Sequence, residues 1–175
     1  MTTTDYAAYI AGLPKILAGA ATLFRDAEGR ILIAETTYRQ DGSWVLPGGT
    51  IESADGETPR EAARRETLEE IGLDVDPGAL LAVDWVQGPS GRPPLAAYLY
   101  DGGVLDEAAL GAIVLQEEEL SAWRLVTSDE AADYLSPGLH RRVRAALTAL
   151  QDGARPVELV NGRRPAAAVA RRPTA

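Results

Sequence analysis

Three glutamates, Glu66, Glu69 and Glu70, fall within five residues between Arg65 and Gly72, in the stretch ETPREAARRETLEEIGL that spans 57–73. Like charges four residues apart on a helix destabilise it by about 0.2–0.5 kcal/mol each. Either these carboxylates face water, or they converge on a positive charge that the chain does not itself supply. At about 100° per residue, Glu70 lies about 40° from Glu66, and Glu69 about 60° on its other side. Ala63, Thr67, Leu68 and Ile71 occupy the adjoining arc and are expected to face the core. Carboxylates at such a border are partly desolvated, where clustered negative charge is costly unless neutralised. Hard oxygen donors at this density suit Mg2+ or Mn2+, ions that also hold substrate phosphates.

The surrounding pattern supplies the elements that position this face. Thr58 has the character of an N-cap with Glu61 three residues on, and Pro59 takes the favoured first helical position. Gly72 provides the stop, so a helix is expected over Thr58 to Ile71. Ahead of it, LAGAATLFRDAEGRILIAET reads as two strands joined by a turn at Asp26, Ala27, Glu28 and Gly29, and SWVLPGGT as a short strand ending at Pro47, Gly48 and Gly49. Further strands are expected at 79–87, 95–101 and 120–126, and a loop at 102–111. A helix is expected to start in TSDEAADYL and another to run from Pro137 to Leu150; residues 6–12 suit a short N-terminal helix. Hairpins mixed with a crossover helix imply an α/β fold with a mixed β-sheet between helices.

A chain of 175 residues with 46% apolar content forms one domain with appendages. We divide it into an extension at 1–14, a domain at 15–151 and a tail from 152 to 175 that holds the strand-like PVELV and is partly mobile. Cysteine is absent, which excludes disulfide scaffolds, thiol catalysis and thiolate zinc sites, and fits the cytoplasm. MTTTDYAAYIAGLPK has no basic stretch ahead of its apolar residues, so a signal peptide is not expected. The run ILAGAATLF is too short to span a bilayer and suits a buried strand. A net charge of −9 argues against nucleic-acid or membrane-surface binding, and would repel a phosphate ester unless a bound divalent cation resolved the repulsion locally.

The segment GGTIESADGETPREAARRETLEEIGL resembles the Nudix box, G-x5-E-x7-R-E-U-x-E-E-x-G-U with U apolar. Glu57, Arg65, Glu66, Glu69, Glu70, Gly72 and Leu73 match at their required spacing, and even five such matches are a coincidence on the order of once in a million starting positions. Thr67 stands at an apolar position. Gly49 stands eight residues before Glu57 instead of six, as expected from a two-residue insertion in the loop ESAD. The likeness extends over roughly 15–150: GSWVLPGGTIE is similar to the family's strand and glycine turn, and EELSAWRLV to a later segment where an acidic residue precedes a strand.

What the resemblance implies is a Nudix-type α/β/α sandwich and a Mg2+- or Mn2+-dependent hydrolase. Its substrate would be a nucleoside diphosphate linked to another moiety, a nucleotide-derived small molecule such as ADP-ribose, a nucleotide sugar or a (d)NTP. Glu66 and Glu70 are the first-choice metal ligands, with Glu69 third and the Gly49 carbonyl completing the set. Glu119 is the first choice for the general base, then Glu69, with Glu118 as the near alternative in register; Arg65 orients the cluster by pairing with Glu57 or Glu69. The alternative is a Nudix-like nucleotide-binding sensor without turnover. Pro89, sixteen residues after Leu73, resembles a marker of the ADP-ribose-cleaving branch. Tyr38 and Arg39 suit stacking on a base and pairing with phosphate. Trp44, Trp85 and Trp123 suit the core or an interface, and His140 a solvated position. Oligomeric state is left open by the sequence; dimers are common among similar proteins, and the N-terminal segment and tail could support a homodimer.

Overall fold

Alternation along the strands decides which face each side chain takes. In the computed structural model, which describes residues 3–37, 43–88, 91–153 and 155–166, β1 (Leu17–Arg25) and β2 (Ile31–Thr36) send neighbouring side chains to opposite faces. Leu23, Ile31 and Ile33 enter one core, while Phe24, Leu32 and Ala34 enter another. Both faces of the sheet are therefore covered. Helix α4 (Pro137–Gln151) closes the first with Val143, Ala146 and Ala149. Helix α2 (Pro59–Ile71) closes the second, Ile71 packing beside Phe24 and Ala62 and Ala63 beside Ala20 and Tyr100. The result is the expected α/β/α sandwich.

The strands β3 (Trp44–Val45), β4 (Gly48–Thr50), β5 (Leu80–Val86), β6 (Leu95–Val104), β7 (Leu120–Val126) and β8 (Val157–Val160) complete a mixed sheet of eight strands. Its main path runs β3-β2-β1-β6-β5-β8; β4 pairs with β1 and β7 with β2. β1 runs parallel to β6, and β4 is antiparallel to β1 with Ala20 opposite Gly49. This register brings the glycine turn under α2. Within the piece PVELV, Val157–Val160 forms β8 and pairs in parallel with β5; residues 167–175 lie outside the described residues. Helix α1 (Thr3–Gly12) covers the expected N-terminal helix.

Several expectations are corrected. Residues 102–111 are not a loop: β6 continues to Val104, and Glu107–Gly111 forms helix α3, capped by the Asp106 side chain. The register shifts where Gly102 is passed over, and Gly103 sits at φ +80°. The glycines thus create a bulge rather than ending the strand. TSDEAADYL forms only a 3-10 turn at Glu130–Asp133, although Thr127 and Glu130 exchange capping bonds. Ser136 precedes Pro137 and is held at ψ 148°, so the helical run must restart there. His140 is half-buried, with Nε2 2.9 Å from the Ser128 carbonyl oxygen. Trp44 is buried and Trp123 half-buried, but Trp85 is 40% exposed on β5.

Candidate active site

Helix α2 begins and ends as its sequence dictates. Thr58 and Glu61 form a complete capping box, Pro59 is the first helical residue, and Gly72 closes the helix at φ 74° with its amide on the Leu68 carbonyl. The buried residues are Ala62, Ala63, Thr67, Glu70 and Ile71, whereas Leu68 is 47% exposed. The packed arc is therefore centred near Glu70 rather than beside it. Thr67, at the box's apolar position, is fully buried and donates to the Ala63 carbonyl at 2.7 Å, with the Thr22 hydroxyl 3.1 Å away. A β-branched residue fills the apolar site, and its hydroxyl is satisfied locally.

Gly48 and Gly49 meet this arc from the sheet. The Gly48 amide donates to Glu70 Oε2 at 2.7 Å. Gly48 sits at φ +146°, and a β-carbon there would run into the Ala20 carbonyl and Ala21. A β-carbon on residue 49 would fall 2.5 Å from Glu66 Oε1. Glycine at both positions lets the turn approach the carboxylates. The Gly49 carbonyl oxygen faces Gly19 across the strand pair, 2.9 Å from where a β-carbon on residue 19 would lie.

Arg65 binds the cluster on its outer side. Nε and Nη2 engage the two oxygens of Glu57 at 2.7 and 3.1 Å, Nη1 reaches Glu69 at 2.8 Å and Glu66 at 3.0 Å, and Nη2 also donates to the Thr50 carbonyl. The expected choice between Glu57 and Glu69 is resolved by the guanidinium fork bonding to both. Glu57 in turn accepts from the Glu52 amide at 2.7 Å. The longer spacing between Gly49 and Glu57 is taken up by a 3-10 turn at Ser53–Asp55 and a left-handed Gly56, outside the Gly49–Ala20 register.

The electrostatics separate these acids. Burial pushes the Glu70 carboxyl up to about 8, and the charges of Glu66, Glu119 and Glu69 add to the rise against the Gly48 bond. Burial also raises Glu66, with Glu69 and Glu119 adding and Arg65 opposing. Arg65 holds Glu57 below its ordinary range. Glu119 is half-buried at the head of β7, where its carbonyl accepts from the Thr37 amide at 2.8 Å. Although 49 residues separate it from Glu70 in sequence, its charge acts on the buried Glu70 and the half-buried Glu66. Glu69 is half-exposed and faces Arg65, and Glu118 is exposed. Tyr38, Arg39 and Pro89 lie outside the described residues.

Among the described residues no three carboxylates form a ready-made cation cage. Glu66 is turned toward Arg65 and Gly49, and Glu70 toward the Gly48 amide. What fits a divalent cation is the chemistry of the donors. Hard oxygens are gathered where burial and mutual repulsion make their negative charge unfavourable, and a cation relieves both effects.

Two cavities open on the α4 side of the sheet. One, of about 460 Å³, is bordered by Gly48, Gly49 and Thr50 together with Ala18, Ala20 and Arg92. The other, of about 450 Å³, is bordered by Trp44, Tyr134, Gln87, Arg92 and Asn161. Neither is lined by Glu66, Glu70 or Glu119; the first meets Glu66 and Glu70 through the glycine turn. Sequence reasoning missed Asn161 and its neighbours. The Asn161–Gly162 turn has both residues at positive φ, its side chain pairs with Gln87, and Gly162 donates to the buried Asp84. The adjacent pair Asn161-Gly162 was the available signal, since such pairs favour left-handed turns.

Fold and site together define a sheet-and-helix sandwich in which one helix presents a buried and a half-buried carboxylate to a glycine turn. A model of the NUDIX domain matches residues 15–148, and the chain belongs to the Nudix family. It is 41% identical over 70 residues to the 8-oxo-dGDP phosphatase NUDT18 of Homo sapiens, covering 40% of this chain and 21% of that protein. It is 41% identical over 64 residues to an 8-oxo-dGTP diphosphatase of Proteus vulgaris, covering 35% of this chain and 55% of that one. The matches thus span about a fifth to about half of these curated relatives' lengths. Among solved structures, the NUDIX domain of Shewanella oneidensis NrtR complexed with ADP ribose superposes with a TM-score of 0.68 at 16% identity, covering 86% of this chain and 99% of that one. A UDP-X diphosphatase does so with a TM-score of 0.65 at 21% identity, covering 91% and 76%. At such identities the likeness is one of fold. Among the described residues no helix is long and apolar enough to cross a membrane.

Proposed function

We propose that this chain hydrolyses the diphosphate bond of a nucleoside diphosphate linked to another moiety, with Mg2+ or Mn2+ as cofactor. The observation that supports it is the meeting of Glu66 and Glu70 at the Gly48–Gly49 turn, with the charge of Glu119 acting on both. Glu66 and Glu70 would hold the cation, with Glu69 and the Gly49 carbonyl as further ligands. When bound, it would neutralise phosphate oxygens and make water a better nucleophile. Glu119 takes the proton from the water that attacks phosphorus; the new phosphorus–oxygen bond forms as the anhydride bond breaks and the second phosphate leaves. Arg65 acts through position, holding Glu57, Glu66 and Glu69 in one arrangement. Tyr38, Arg39 and Pro89 are proposed for substrate contact on the sequence alone, as are the cytoplasmic setting and a homodimer.

The test is Mg2+-dependent release of nucleoside monophosphate or inorganic phosphates from ADP-ribose, nucleotide sugars, 8-oxo-dGDP and dNTPs. Glu70→Gln is expected to abolish most of the release, and unchanged turnover in that variant would overturn the ligand assignment. A second reading, nucleotide binding without turnover, draws on the engagement of Glu66 with Arg65 and of Glu70 with Gly48. It wins if nucleotides bind and none is cleaved.

A further inference from the structure

The loop between β5 and β6 carries an arginine that the proposed chemistry does not use. Arg92 borders both cavities, the one that touches Gly48 and Gly49 and the one behind it. The other arginines on these walls are engaged. Arg142 Nε bonds to Asp84 at 2.9 Å, and Arg141 Nη2 donates to the Asn161 carbonyl at 2.9 Å. Arg92 is exposed, and its guanidinium has no ion pair or hydrogen bond to a described residue. The backbone beneath it is closely placed. A β-carbon on Gly88 would fall 2.7 Å from the Arg92 carbonyl oxygen and 3.0 Å from that of Pro93, so the returning loop packs directly on a glycine. Beyond it, Leu17 donates to the Pro94 carbonyl at 2.8 Å, and Leu95 pairs with Val86.

We propose that Arg92 is a specificity residue that binds the phosphate of the substrate not under attack, a refinement that rests on the proposed hydrolysis. Gly49 and Arg92 border one cavity of about 460 Å³, within the range of small-ligand sites. A diphosphate lying there reaches the glycine turn with one phosphate and Arg92 with the other. The group attached beyond Arg92 then enters the second cavity, against Trp44 and Tyr134. The charge argument points the same way. In a chain of net charge −9, with the carboxylates on the far side of the turn, a phosphate ester needs a fixed cation along its path. A guanidinium offers two parallel donors to phosphate, which a lysine does not.

Binding without divalent metal separates this site from the carboxylates. In EDTA, the affinities of AMP and adenosine would be measured by calorimetry for the wild type, Arg92→Ala and Arg92→Lys. The wild type is expected to favour AMP over adenosine by about tenfold or more. Arg92→Ala should erase that ratio while leaving adenosine binding unchanged, and Arg92→Lys should keep part of it. In turnover assays, Arg92→Ala should raise KM about tenfold with kcat within twofold, as expected for an interaction equal in ground and transition states. An AMP-to-adenosine ratio that survives Arg92→Ala overturns the assignment, as does equal weakening of both ligands. If no substrate is cleaved but the ratio still depends on Arg92, the phosphate site stands and the hydrolysis reading falls.

Discussion

The Gly48 amide donates to the Glu70 carboxylate at 2.7 Å, joining a glycine turn of the sheet to the buried centre of a glutamate-rich helix. Glu70 is only 5% exposed, so this bond is its compensation for leaving water. Replacing Glu70 by glutamine keeps an acceptor for the amide and removes the charge. The folded protein should keep or raise its melting temperature, while turnover falls on the order of a hundredfold or more. Thermal melts beside initial rates at saturating Mg2+ test the two expectations separately.

The same carboxyl makes the metal-free protein pH-sensitive. Its pKa is about 8 in the folded chain, against an ordinary 4.5. The folded state therefore holds the proton more tightly, so this contribution is complete below pH 4.5 and lost as pH rises through 8. Glu66, also raised by burial, acts in the same direction. Glu57 and Asp26 have lowered values, so their contributions are lost only as pH falls through the acid range. Urea midpoints in EDTA should fall between pH 5 and 8.5 by the equivalent of roughly a few kcal/mol, and Glu70→Gln should flatten the slope. A midpoint that rises over this window contradicts the assignment.

Gly48→Ala should act through the backbone. At φ +146° an alanine is strained, and its methyl would meet the Ala20 carbonyl and Ala21. The expected loss is about 2–4 kcal/mol with activity reduced in step, read from chemical denaturation and rates on the same preparation.

Arg65→Lys tests the fork. Lysine cannot hold Glu57, Glu66, Glu69 and the Thr50 carbonyl at once. Activity should drop about ten- to a hundredfold with only a small change in melting temperature. Full activity in the lysine variant would show that the outer pairing does not position the cluster.

The buried Asp84–Arg142 pair ties α4 and the Gly162 turn to β5. Arg142→Met leaves Asp84, with no exposed surface, holding only the Gly162 amide, and should cost about 3–5 kcal/mol. Adding Asp84→Ala should recover part of that loss, because no uncompensated charge remains buried. Denaturation of both variants gives the comparison.

Much of this molecule is determined locally. The capping box at Thr58 and Glu61, the stop at Gly72 and the i,i+4 placement of Glu66 and Glu70 depend on residues within one helix, and each formed where its residue types required. The hairpin at Asp26–Gly29 and most of the strands follow from alternation in the same way. Other features depend on partners far along the chain. Leu68 belongs to the apolar pattern yet lies in solvent, while Glu70 lies in the core, because Gly48 supplies a donor from β4 that no helical periodicity reveals. The β6 bulge at Gly102 and Gly103 depends on Phe24, opposite it on β1. Glu119 reaches Glu70 through the pairing of β2 with β7 and through the bond from the Gln116 amide to the Glu70 carbonyl, and Arg92 borders the Gly49 cavity through the parallel pairing of β1 with β6. Sequence alone determined the chemistry that one helix could carry. Tertiary structure decided which carboxylates are buried, and what faces them, because burial and charge act between side chains that only the sheet brings together.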